Sequence, residues 1–243
     1  YHYANRNGNL YPTHGLGPVA QYMNLCRTDD NFGRITSFST PARGRALYAK
    51  KHFAPDHKWN KLEFKGGDLS TSIIKTTMGK TIMCQWDETS PRPYSRHNMI
   101  QGTKGIGNGF PTRIALDYSK GELPEAVFTA LAGDKDHTNF HGWTQGDKLK
   151  AVYAEYDHPL YTRMKADAAK MGGHGGMDFI MNFRVIEALR EGQPLDQNLY
   201  EGIQWSVVGP LSEASVAQDG ASVAFPDFTR GNWKTTPPLP IID

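Results

Sequence analysis

The chain has 243 residues, 38% of them hydrophobic and 21% charged, with a formal net charge of +2. That is an ordinary globular composition with length enough for a substantial core, whereas two compact domains would each be small. The small charge and the lack of a basic run argue against nucleic acid as a partner, and no stretch approaches the roughly 18 consecutive apolar residues of a membrane span.

The first informative stretch is Asn9-Leu10-Tyr11-Pro12-Thr13-His14-Gly15-Leu16-Gly17-Pro18. Leu16, Val19, Ala20 and Met23 recur at helical spacing, which predicts a helix over about 16–27 with Thr13 as N-cap and Pro18 in the first turn. His14 then sits at a helix mouth, where its ring can serve as base or hydrogen-bond partner, and Tyr11 adds a phenol nearby. Together they resemble half of an acid/base site. A satisfied packing histidine beside an extended Tyr-Pro entry is the simpler alternative.

Asp29 to Gly33 has turn chemistry, and Arg34 to Thr40 reads as a strand. Residues 41–66 show no period and are expected to be a long excursion from the sheet. Leu69 to Thr77, a Met78-Gly79 turn and Lys80 to Asp87 predict an antiparallel hairpin. Arg96 to Gln101 is expected to continue that sheet, with Gly102 to Gly105 turning into a further strand. Gly105-Ile106-Gly107-Asn108-Gly109 lacks the spacing of a dinucleotide loop and reads as a glycine-rich turn.

Asp134, Asp136, His137 and His141 lie close together in a polar stretch, but the flanking glycines argue against a metal-binding helix, and no metal is expected. The two aspartates give no information on a glycosidase-type carboxylate separation. Leu160, Met164, Ala168 and Met171 form one helical stripe, and Phe179, Phe183, Ile186 and Leu189 another. Between them, His174 is flanked by two glycine pairs, either a close backbone approach to a ligand or a flexible joint. A helix over Leu199 to Val208 is interrupted by Pro210 and resumes at Ser212 to Gln218, and residues 225–243 form an extended tail. Cys26 and Cys84 match neither a disulfide framework nor a zinc motif. The start at Tyr1, with neither initiator methionine nor signal peptide, leads to the expectation of a fragment or processed form. Strands precede helices, so the fold class is α+β: a largely antiparallel open sheet with helices on one face, in a single domain over 1–243.

Three stretches, Tyr11-Pro-Thr-His14, Thr89-Ser-Pro-Arg-Pro-Tyr94-Ser-Arg96 and Gly173-His-Gly-Gly-Met-Asp178, resemble in that order the C-terminal domain of glycoside hydrolase family 109, within the Gfo/Idh/MocA superfamily. Trp205 to Glu213 and Phe225 to Phe228 resemble that superfamily's last helix and tail. The resemblance implies an NAD-dependent α-N-acetylgalactosaminidase that oxidises the sugar at C3, eliminates the glycoside, adds water and reduces the product. It further implies His14 as catalytic histidine, Tyr11 as its catalytic and sugar-binding companion, Tyr94 and His174 as sugar contacts, and Tyr11, Pro12, Thr13 and His14 as a segment facing the nicotinamide. The family's Rossmann half is missing from this sequence, so the chain alone is expected to be inactive and to retain little NAD. An N-acetylgalactosamine-terminated glycan, the missing half and a second copy of the chain paired through the sheet are the implied partners, and a bacterial periplasmic or exported location follows from the family alone. Two alternatives remain: a sugar or polyol dehydrogenase domain of the same superfamily, and a non-catalytic carbohydrate-binding or oligomerisation module.

Overall fold

A computed structural model describes residues 1–117, 122–132 and 142–242. In chain order the elements are α1 (His2–Asn5), α2 (Thr13–Tyr22), β1 (Phe32–Ser39), α3 (Gly44–His52), β2 (Leu69–Thr76), β3 (Thr81–Asp87), β4 (Met99–Gly102), β5 (Gly105–Asn108), β6 (Arg113–Leu116), α4 (Glu125–Ala132), β7 (Thr144–Gln145), α5 (Lys150–Tyr156), α6 (Pro159–Met171), α7 (Met177–Glu191), α8 (Leu199–Ser206), α9 (Val208–Val216) and β8 (Val223–Ala224). The class is α+β, with antiparallel sheets as expected. They gather into two compact units, one of residues 1–94 with 197–239 and the other of residues 95–196 with 240–243. The strands therefore form two four-stranded sheets, β3-β2-β1-β8 and β4-β5-β6-β7, rather than one continuous sheet.

In the first unit, pleat alternation decides which side chains face inward. Ile35, Ile74 and Ile82 lie in one cross-strand row and are buried, whereas Thr36, Ile73 and Met83 form the adjacent outward row, with Ile73 44% and Met83 63% exposed. Leu16 and Ala20 of α2, with Trp205 and Val208 of α8 and α9, close the core over the inner face. Burying each large aliphatic chain here contributes about 1.5–3 kcal/mol. The next inward row is small and polar: the Ser37 hydroxyl donates to that of Ser72 at 2.8 Å, and the Ser37 N–H donates to Ser215 Oγ at 2.8 Å. Ser215 thereby satisfies a β1 donor beyond the reach of short β8, and small side chains on both sides let α9 lie close.

Several local expectations are corrected. α2 begins at Thr13, with Pro12 rather than Thr13 at the cap, and Pro18 lies inside the helix, where it lacks the N–H that would reach the His14 carbonyl. The excursion after β1 contains α3, and Gly105–Asn108 is strand β5, paired to β4 and β6, not a turn. Pro210 does separate two helices, but the break falls at Val207, where the first turn of α9 tolerates proline three residues on. The expected extended tail instead folds around Asp227, whose carboxylate accepts from Thr229 N, Thr229 Oγ1 and Gly231 N before a short 3-10 turn at Asn232–Thr235.

In the second unit, α6 buries Leu160, Met164 and Ala168 as its stripe predicts, but Met171 is 67% exposed. The α7 stripe is split: Phe179 and Phe183 are half-buried, whereas Ile186 is 56% and Leu189 69% exposed. Asp134, Asp136, His137 and His141 lie outside the described residues.

Candidate functional site

The Tyr11–His14 segment is fixed at both ends. Upstream, the Asn9 N–H donates to Ser212 Oγ at 2.8 Å and its side-chain amide donates to the Cys84 carbonyl at 3.2 Å, with Asn9 fully buried. Gly8 passes so close to α9 that a Cβ there would sit 2.7 Å from Ser212 Oγ and 3.0 Å from Glu213 N. Arg6 adds an ion pair to Glu213. Downstream, Leu16 and Gly17 are buried, and Gly17 lies on the Trp205 ring, with a Cβ there 3.2 Å from Cε3. Between these anchors the Tyr11 and His14 rings stack, centroids 4.9 Å apart and planes at 30°. Tyr11 is 48% exposed and His14 is also exposed, so both residues are open to solvent on a held backbone.

Tyr94, 72% exposed, stands at the end of a loop in the same unit. The Asp87 carboxylate organises that loop, accepting from Thr89 N at 3.2 Å, Ser90 N at 3.0 Å and Arg92 Nε at 3.1 Å. Burial works to raise the Asp87 carboxyl, but these bonds together hold it below the usual carboxylate range.

His174 belongs to the second unit. It has a positive φ of 47°, amid Gly173, Gly175 and Gly176, and its Nδ1 lies 3.0 Å from Asp178 Oδ2. Gly176 is required by packing: a Cβ would lie 2.7 Å from that of Ala168 on α6. The glycines thus make a tight helix–helix joint, with the exposed imidazole held by the first-turn carboxylate of α7.

The structure therefore brings Tyr11 and His14 into ring contact and sets Tyr94 on a separately braced loop of the same unit. Asn9 and Ser212, which hold the segment, left no local sequence signal because they are 203 positions apart. Glu201 was legible in part. Asn198-x-x-Glu201 is a capping-box pattern, and both bonds form. Its carboxylate also takes Arg27 Nε at 2.6 Å and Nη2 at 3.0 Å, while Arg27 Nη1 donates to the Pro237 carbonyl at 2.9 Å, tying α8 to the turn before β1 and to the tail.

A dinucleotide cradle needs a glycine-rich turn between a parallel strand and a helix N-terminus. Every strand pair among the described residues is antiparallel, and the glycine-rich stretch is itself a strand. These residues do not fit the phosphates of NAD. No helix among the described residues is long and apolar enough to cross a membrane.

Comparison with known proteins agrees with the residue-level resemblance. The family described as Glycosyl hydrolase 109, C-terminal domain, matches residues 1–235. Glycosyl hydrolase family 109 protein 1 of Akkermansia muciniphila is 61% identical over 244 residues, covering 100% of this chain and 47% of that protein. The alpha-N-acetylgalactosaminidase of Shewanella oneidensis is 51% identical over 242 residues, covering 100% of this chain and 49% of that protein. The chain thus spans about half the length of the curated relatives it matches. Among solved structures, levoglucosan dehydrogenase in complex with NADH superposes with a TM-score of 0.51 at 14% identity, covering 90% of this chain and 49% of that chain, a likeness of fold alone. With the motif segments, the fold and the extent of these matches in agreement, the chain belongs to glycosyl hydrolase family 109, as its C-terminal domain.

Proposed function

We propose that this chain is the substrate-binding domain of a glycosidase that removes terminal α-linked N-acetylgalactosamine. The observation that carries the reading is the stacked, solvent-reaching Tyr11–His14 pair on a doubly anchored segment of a family 109 domain. The Shewanella relative, an alpha-N-acetylgalactosaminidase, supplies the substrate class. The reaction class is oxidation at C3, elimination, hydration and reduction, with NAD supplying hydride acceptance and return when bound to a Rossmann half outside this chain.

This chain's own residues hold the sugar and move protons. Oxidising a hydroxyl requires a base at its oxygen, and elimination next to the resulting ketone requires a proton acceptor for C2. The His14 imidazole is the base at the reacting carbon, and the Tyr11 phenol, stacked on it, positions the ring and exchanges a proton with a sugar hydroxyl. Tyr94 offers a flat face and a hydroxyl to the same sugar. For His174 the family resemblance alone implies a sugar contact, and its Nδ1 is engaged by Asp178. Alone, the chain is inactive and retains little NAD. The outward row containing Ile73 and Met83, together with Phe38, 57% exposed, pairs two copies through the first sheet, and the protein acts in the periplasm or outside the bacterial cell.

The test is to express the chain with its upstream half and assay an aryl α-N-acetylgalactosaminide. His14→Ala should lower turnover by about 10²–10⁴-fold, the usual contribution of a positioned acid/base group. Full turnover by the variant would overturn the assignment. Net NADH release from a free sugar, without glycoside cleavage, would establish a dehydrogenase instead. NAD retained by the chain purified without its upstream half would contradict the division of labour.

A further inference from the structure

Between β1 and β2 the chain leaves the sheet for α3 and a 3-10 turn at Lys58–Asn60. Residues 43–65 hold seven Lys and Arg against two Asp and Glu, whereas the other 220 residues hold 20 against 23. The overall +2 thus conceals a local +5 on a body of −3. No run of basic residues marks it, because rings are interleaved with the cations.

Those rings form a ladder. Tyr48 and His52 stack with centroids 4.2 Å apart, Tyr48 meets Phe53 edge-on at 6.4 Å, and Phe53 stacks on His57 at 4.5 Å with planes at 11°. Tyr48 is 59% exposed and Phe53 37%. Lys50, Lys51, Lys58 and Lys61 are exposed, and none makes an ion pair among the described residues. The negative end of the α3 dipole accounts for Lys50 and Lys51 in its last turn. It does not account for outward rings, or for Lys58 and Lys61 beyond the helix. Only Ala49 of α3 is buried, so packing does not require the rings either.

The lobe is stitched to both segments that carry the proposed sugar contacts. At its end, Lys65 N donates to the Ala4 carbonyl at 2.9 Å and Gly67 N to Asn7 Oδ1 at 3.2 Å, four residues before Tyr11. At its start, the Asp68 carboxylate accepts from Arg43 N at 3.0 Å and Gly44 N at 2.9 Å. The Asp68 carbonyl in turn accepts from Thr89 Oγ1 at 3.4 Å, on the loop that ends in Tyr94.

We infer that this lobe is a subsite for an acidic glycan, a sugar chain bearing sulfate or carboxylate groups. Its pyranose faces lie on Tyr48 and Phe53, and its anions meet Lys50, Lys51, Lys58 and Lys61. The inference rests on the glycosidase reading for its orientation: the terminal sugar at Tyr11, His14 and Tyr94, the remainder of the glycan over the lobe. Rings and cations also suit a single-stranded nucleic acid, which makes that polymer the necessary competitor.

The test measures binding of a labelled chondroitin sulfate hexasaccharide, a neutral chitohexaose and an oligothymidylate to the purified chain at low salt, where surface charge is least screened. The sulfated glycan should bind at least about tenfold more tightly than the neutral one. Replacing all four lysines (K50Q, K51Q, K58Q, K61Q) should lower its affinity at least about tenfold, and Tyr48→Ala, which leaves every charge in place, at least about threefold. Circular dichroism confirms that each variant is folded. Unchanged binding by the lysine variant overturns the proposal. Unchanged binding by Tyr48→Ala does so too, as bare polyanion adsorption, and so does equal or tighter binding of the oligothymidylate. In the full-length protein these variants should leave turnover of a neutral aryl α-N-acetylgalactosaminide unchanged. No turnover by the unaltered full-length protein would refute the glycosidase reading, while the binding comparisons still decide the subsite.

Discussion

Glu201→Ala offers the sharpest test of how the first unit is held together. Glu201 is 1% exposed, and its carboxylate accepts two hydrogen bonds from Arg27, itself only 6% exposed, and one from the Asn198 N–H. Truncation removes the countercharge from a buried guanidinium, which costs about 3–5 kcal/mol, and half of a capping box, about 1 kcal/mol. For a chain of this size each kcal/mol lowers Tm by about 2–4 °C, so a fall of roughly 8–24 °C is expected. Urea unfolding followed by tryptophan fluorescence measures the same loss, with Trp205, 6% exposed on α8, among the reporters. Arg27→Met with Glu201→Leu should recover most of the stability, because a buried pair replaced by apolar groups of similar size is often neutral. A loss below about 1 kcal/mol for Glu201→Ala would refute the reasoning.

Asp30 receives bonds from Asn31 N, Met78 N and Thr77 Oγ1; burial tends to raise its carboxyl, but these bonds and Thr76 hold it below the usual range. Its contribution is therefore complete above the unfolded value of about 3.9 and is lost as pH falls through the lower folded value. The stability gap between the native chain and Asp30→Asn should accordingly narrow below about pH 4. A constant gap down to about pH 2, measured by urea unfolding, would count against it. Burial pushes the Cys26 thiol up to about 12 and raises that of Cys84 as well, so neither should react with a thiol reagent at pH 8 until the protein unfolds. Rapid labelling of the folded chain would contradict this. Gly8→Ala should cost about 1–3 kcal/mol by forcing the chain off Ser212 and Glu213, and in the full-length enzyme it should lower turnover although it touches no substrate. Unaltered stability and turnover would show that the Asn9 anchor does not position Tyr11 and His14.

The sequence by itself determined the β2–β3 hairpin, because alternation and the Met78-Gly79 turn are local, and it determined the α6 stripe and the helix break near Pro210 for the same reason. It also singled out Tyr11 and His14, whose residue types carry chemistry, while Tyr94 came from the family resemblance alone. Only the tertiary structure decided that Arg96 onward starts a separate sheet, since strand pairing is a long-range choice that leaves no mark within a single strand. α3 escaped detection because helix periodicity reports a buried face, and this helix buries only Ala49. The site anchor Asn9–Ser212 and the buried pair Arg27–Glu201 join positions 203 and 174 apart. Polar groups so distant become partners only when folding removes both from water and leaves each other as the available hydrogen-bond partner.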